Sequence, residues 1–141
     1  MRECGECVVC CVYPRIEEPL HKAAMTHCAH VQADEPEVPG KKVCFSGTGC
    51  SAYCDRPPVC KEYECAWLLG NGDISDRPDK SGVLMDRNKK IRGAVECKSL
   101  WEGAHDEPAG RAAIERVSCD MGLAALVISF GERRLREVRT W

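Results

Sequence analysis

Cys4-Gly5-Glu6-Cys7-Val8-Val9-Cys10-Cys11 is the stretch on which the fold turns. A Cys-x-x-Cys step lets one short loop aim both sulfurs at a common centre. Here the step is taken twice, Cys4 to Cys7 to Cys10, and a further thiol follows at Cys11. Three cysteines at this spacing supply three corners of an iron–sulfur cluster, and they serve a zinc site equally well. Neighbouring side chains of an extended segment point to opposite sides, so Cys11 is expected to serve a second metal or a bridge. The remaining chain reads as scaffold that brings further thiols to this loop.

Twelve of the 141 residues are cysteine, against two Phe, three Tyr and three Trp. The 44% hydrophobic share counts those cysteines, so the apolar core is thin and metals or disulfides are expected to staple it. Cysteines begin at position 4, where the basic and apolar regions of a secretion signal would lie. The expectation is therefore a cytoplasmic protein with reduced thiols, in which dense cysteine means metal or redox chemistry. No apolar run reaches the roughly 18 residues of a membrane span. The formal charge of −2 offers no basic footprint for nucleic acid. The partners expected are metal ions, with neither nucleic acid nor membrane among them.

Outward from the first loop, Cys11 to Ile16 carries strand-like residues, and a short helix is expected after Pro19 within Ile16 to Val31. Cys28-Ala29-His30 offers a thiol and an imidazole. Gln32 to Lys42 reads as a loop, with two prolines and a glycine and no periodicity. A second dense stretch holds Cys44, Cys50, Cys54, Cys60 and Cys65, with Gly47 and Gly49 giving the backbone freedom to wrap a site. Pro57 suits the first turn of a helix running to Leu69 and stopped by Gly70-Asn71-Gly72. On such a helix Cys60 and Cys65 lie about 140° apart, so one unbroken helix would not aim both at one ion.

Beyond Gly72 cysteines become sparse, and Cys97 and Cys119 are expected to act as small core hydrophobes. Strands are expected at Val83 to Met85 and Ile91 to Trp101. The clearest helix spans Asp106 to Met121: Asp106 as cap, Pro108 in the first turn, a stripe of Ile114, Val117 and Met121, and Gly122 as stop. Leu123 to Phe130 is a continuous apolar run of strand length, and Glu132 to Trp141 a charged edge strand or short helix. The fold class is α+β: a small, cysteine-rich, irregular metal-cluster half followed by a short antiparallel sheet with one helix. A single domain, 1–141, is expected, with a cysteine-cluster half at 1–70 and an α+β half at 71–141.

These residues resemble the cysteine-cluster family named for its Cys-x-x-Cys-x-x-Cys-Cys motif, the YkgJ-like zinc- or iron-chelating proteins. The similarity runs from Cys4–Cys11 through Leu20, Lys22, Cys28-Ala29-His30, Cys44 and Gly49-Cys50. It is most specific in Tyr53-Cys54-Asp55-Arg56-Pro57-Pro58-Val59-Cys60-Lys61-Glu62-Tyr63-Glu64-Cys65-Ala66-Trp67-Leu68, and fades through Arg77 to Val83. The resemblance implies a metal-binding protein with the ligand set Cys4, Cys7, Cys10, Cys11, Cys28, Cys44, Cys50, Cys60 and Cys65. Cys54 stands where the family usually has another residue.

The functional expectation is a polynuclear thiolate site. Soft thiolates suit zinc and iron–sulfur alike, with zinc placed first. The alternative is an iron–sulfur oxidoreductase or electron-transfer protein. Autonomous catalysis is not expected, because Gly47-Thr48-Gly49-Cys50-Ser51 lacks the third glycine and the βαβ setting of a dinucleotide fingerprint. A disulfide scaffold is disfavoured by the adjacent Cys10 and Cys11. His30 beside Cys28 is the histidine singled out as a ligand or base, ahead of His21, His27 and His105.

Overall fold

Two stretches of backbone pairing organise the chain: a short cysteine-bearing hairpin and, later, a four-stranded sheet. The computed structural model describes residues 2–13, 26–38, 43–51, 55, 58–87, 91–130 and 137–139, with the backbone alone at 59 and 137–139. Its residues gather into two compact units. Glu3–Tyr63 forms the cysteine unit, and Met1–Arg2 with Glu64–Trp141 forms the sheet unit.

In the cysteine unit the Cys7 N–H donates to the Cys4 carbonyl (3.0 Å), closing a turn in which Gly5 is left-handed at φ 59°. Glycine takes that conformation without steric cost. Helix α1, Val9–Val12, follows at once and buries both of its valines. A spacing of three brings them to one side of a helical turn, whereas an extended chain could not bury both with the same face. The extended geometry expected around Cys10 and Cys11 is therefore replaced by a helical one. Val8 and Phe45 are also buried. The expected helix after Pro19 lies mostly outside the described residues.

Strands β1, Val31–Ala33, and β2, Gly47–Cys50, pair antiparallel with Val31 opposite Cys50 and an irregularity between Gln32 and Ala33. A Cβ at Gly47 would overlap the Gln32 carbonyl oxygen and the Ala33 Cα, so the close approach of the strands requires glycine there. The start of the supposed 32–42 loop is thus strand. The expected long helix to Leu69 is only α2, Pro58–Glu62. It does not continue because the Ala66 N–H is taken by the Met85 carbonyl (2.8 Å). Residues 66–70 form a separate turn.

The sheet unit opens with a 3-10 turn at Ile74–Asp76 and helix α3, Pro78–Ser81, closed by left-handed Gly82. Strands β3, Val83–Arg87, and β4, Ala94–Ser99, form an antiparallel pair. After a 3-10 turn at Ala104–Asp106 comes helix α4, Pro108–Met121. Pro108 holds its first turn and Gly122 its left-handed C-cap, as expected, but Glu107, not Asp106, occupies the N-cap. Strands β5, Ala124–Ile128, and β6, Glu137–Arg139, complete the order β3-β4-β5-β6.

The fold is α+β with a short sheet, and the sheet is mixed. β4 and β5 run parallel, while β3–β4 and β5–β6 are antiparallel. Parallel neighbours need a crossover, and α4 is that crossover. The core joins Val83, Met85, Val95, Cys97, Ala125 and Val127 of the strands to Ala113, Ile114 and Val117 of α4, with Ala66, Met121 and Leu123 packed in. Ala125, Leu126 and Val127 are buried in succession, as an inner strand covered on both faces should be. Among the described residues no helix is long and apolar enough to cross a membrane.

Candidate metal centre

Backbone hydrogen bonds tie distant cysteine segments of the first unit together. Residues 6–8 run against 45–47: Cys7 and Ser46 form an antiparallel bridge, the Val8 N–H donates to Phe45 O (2.9 Å), and the Gly47 N–H donates to Glu6 O (2.7 Å). The Cys28 N–H donates to Cys11 O (3.1 Å), and the Val31 N–H to Cys28 O (3.1 Å). Cys44 thus stands two residues from Ser46, the bridge partner of Cys7, and Cys28 is joined directly to the end of the Cys4–Cys11 loop. Cys50 closes β2, and Cys60 lies on α2. Cys4, Cys7, Cys10, Cys11, Cys28, Cys44, Cys50 and Cys60 all stand at intermediate exposure.

The Cys10 thiol feels the other three thiols of the loop. Its pKa is raised well above the ordinary thiol value, first by a hydrogen bond with Cys11, then by burial, then by the fields of Cys11, Cys4 and Cys7. Among the described residues, no group of three or more His, Cys, Asp or Glu side chains is placed to hold a metal ion as it stands. The two observations are compatible, because Coulomb fields act well beyond the ~2.3 Å of a zinc–sulfur bond. In chemistry the donor set fits a soft cation. Crowded thiols resist ionisation because each added negative charge repels the next, and a metal ion reverses that balance by pairing with all of them.

The histidines divide differently from expectation. His30 is exposed. Among the described residues, His27 is the one built into the unit: its Nε2 lies 3.1 Å from Cys44 O, its Nδ1 3.7 Å from the Glu37 carboxylate, and its backbone N–H donates to that carboxylate. Its adjacency to Cys28 was the only sequence signal for this, and that does not reveal a partner seventeen residues away. Cys44 itself donates to Ser46 O (3.2 Å). His21 and Cys54 lie outside the described residues.

The other candidates belong to the sheet unit. Cys65 is partly exposed and its carbonyl accepts from the Leu69 N–H (3.2 Å). Cys97 is core, as expected, and burial pushes its thiol up to about 12, with Asp86 and Glu96 adding to the rise. Cys119 is exposed, contrary to expectation. Ala113, Ile114 and Val117 set the core face of α4, and position 119, two residues past Val117, turns about 200° away from it. Ser99 Oγ lies 2.7 Å from His105 Nδ1, whose Nε2 is 3.3 Å from Asp106 Oδ2. The order mimics a hydrolase triad, but Ser99 is wholly buried, so no substrate carbonyl reaches its oxygen.

No family model, no curated protein and no solved structure matches the chain.

Proposed function

We propose that this is a cytoplasmic metal-binding protein holding a polynuclear cysteine–thiolate site, with zinc, or an iron–sulfur cluster, organising the cysteine unit. The observation that carries the reading is the Cys4–Cys11 loop, where the Cys7 N–H closes a turn onto Cys4 O (3.0 Å) and Cys11, Cys4 and Cys7 all contribute to raising the Cys10 thiol. Cys28, Cys44, Cys50 and Cys60 are the further thiolates, supported by the pairing of their segments with that loop or by their place in the same unit. Cys65 joins the set on the resemblance alone. Bound metal supplies the positive charge that lets several thiolates coexist, and closed sulfur coordination leaves no open position for a substrate. Metal uptake is then part of folding.

The iron–sulfur alternative is favoured by one feature, the doubled Cys-x-x-Cys step, which suits a cluster corner by corner. Elemental analysis with an absorption spectrum, on protein purified without oxygen, separates the readings. Zinc in a colourless protein supports the closed zinc–thiolate module. Iron, sulfide and a visible band that bleaches with dithionite support a redox cluster. A metal-free chain with few free thiols overturns both. Cys7→Ser is expected to lose metal, and full retention removes that residue from the ligand set.

A further inference from the structure

We propose that Arg2 is a positioning residue for the cysteine loop, clamping the chain two residues before Cys4 so that the loop meets its metal with one end already fixed. The role deepens the thiolate–metal reading above and rests on it. Nothing in the sequence marks Arg2, a single cation beside the first thiol. In the structure it is one of the most heavily bonded side chains of the sheet unit. Its Nη1 donates to Trp67 O (3.3 Å) and Asn71 O (3.1 Å), and its Nη2 to Gly72 O (2.6 Å). The guanidinium carbon stands 5.0 Å from the centre of the Trp67 ring, within range of a cation–π interaction. Its backbone N–H donates to Leu68 O (3.2 Å).

The receiving segment is itself held on several sides. Trp67 Nε1 donates to Asp73 O (2.8 Å), Asn71 Nδ2 to Ala66 O (3.0 Å), and the Gly72 N–H to the Asp120 carboxylate (2.7 Å). Arg2 is thus bonded to a braced turn. The chain passes between the units at Arg2–Glu3 and again at Tyr63–Glu64. The cysteine unit is therefore a closed insertion, both covalent ends of which run into the sheet unit. Without the clamp the segment leading into Cys4 is not held by those carbonyls. An untethered segment has more conformations to lose when Cys4 takes a metal, and that ordering cost comes directly out of affinity. Only a guanidinium has the planar fork of donors that can bridge three carbonyls while stacking on an indole.

The test uses the full chain as wild type, Arg2→Ala, Arg2→Lys and, as a control that loosens the sheet unit elsewhere, Ile114→Val. Each is titrated with Co(II), read by its thiolate charge-transfer band, and with Zn(II) in competition with a chromophoric chelator. Melting temperature is measured in parallel. Arg2→Ala is expected to weaken metal binding about tenfold, the cost of ordering roughly one more residue, and Arg2→Lys to lie between it and wild type. Ile114→Val is expected to lower the melting temperature and leave metal affinity unchanged. Wild-type affinity in Arg2→Ala overturns the positioning role alone. So does an affinity loss in Ile114→Val that tracks its melting temperature as in Arg2→Ala, since general loosening then explains both. A wild-type chain without thiolate-bound metal overturns the reading of the site and, with it, this role.

Discussion

Asp76 is buried, yet its carboxyl is held below the usual carboxylate range. Burial alone raises it, but the Arg116 hydrogen bonds at 2.6 and 2.8 Å, the Asp73 N–H, and the fields of Arg116 and Arg2 more than offset that. A depressed folded value stabilises above the unfolded pKa, near 3.9, and the gain is lost as pH falls through the folded value. Asp76→Ala is expected to cost about 1–3 kcal/mol at neutral pH and to flatten the acid limb of stability. Urea unfolding from pH 7 down to pH 2 checks both, and an unchanged acid limb would refute the assignment. Cys97 shifts the other way. Its thiol, raised to about 12, stabilises fully below the unfolded value near 8.5 and progressively less as pH rises from there towards 12. In the native protein, alkylation at pH 8 should label exposed Cys119 and spare Cys97. Cys97→Ser is expected to cost about 1–3 kcal/mol, because the hydroxyl is buried in an apolar cluster.

At the scale of elements, the β1–β2 hairpin depends on Gly47. Gly47→Ala would drive a methyl into the backbone at Gln32 and Ala33, and the strands must separate to accept it. The expected loss is about 1–3 kcal/mol of local stability, seen as faster amide exchange at Gln32, Gly49 and Ser51, the last of which donates to His30 O (2.7 Å), while amides of β3–β5 exchange as in wild type. Slow exchange retained at all three positions would show that the hairpin has room the geometry denies. Helix α4 was legible because proline, an apolar stripe and glycine mark its start, face and stop in adjacent residues. Helix α2 was overextended because its end is set by Met85, over twenty positions on, which takes the Ala66 amide. No local pattern carries that information. Cys10 and Cys11 were misjudged for a related reason. Strand-like residues run on from Cys11 to Ile16, but burying Val9 and Val12 together requires a helical turn.

At the scale of the molecule, the two units differ in what holds them. The core of the sheet unit is drawn wholly from residues 66–127 and includes none of the nine proposed ligands. Among the described residues the cysteine unit buries Val8, Val9, Val12 and Phe45, and it holds eight of the nine proposed ligands, all but Cys65. On the proposed thiolate–metal reading, chelation acts on that unit. A strong thiol-competitive chelator is expected to raise amide exchange across 6–8, 31–33 and 45–50 and to leave that of 83–87, 94–99 and 113–127 slow. Hydrogen exchange by mass spectrometry checks this, and loss of protection in both units together would mean that the sheet unit depends on the metal too.

Residue spacing by itself determined the thiol-rich loop, the α+β class, helix α4 and the strands that flank it, because those features arise from neighbours within a few residues. Pairing over long separations decided the rest. It made the sheet mixed by sending β5 beside β4. It joined Cys28 to Cys11 and the Cys44 segment to Cys7. It chose His27 over His30 as the histidine with a built-in partner, and gave Arg2 its carbonyls some seventy residues away. Periodicity and caps report the torsions a segment prefers, whereas which segment receives its hydrogen bonds depends on the free energy of the whole folded chain.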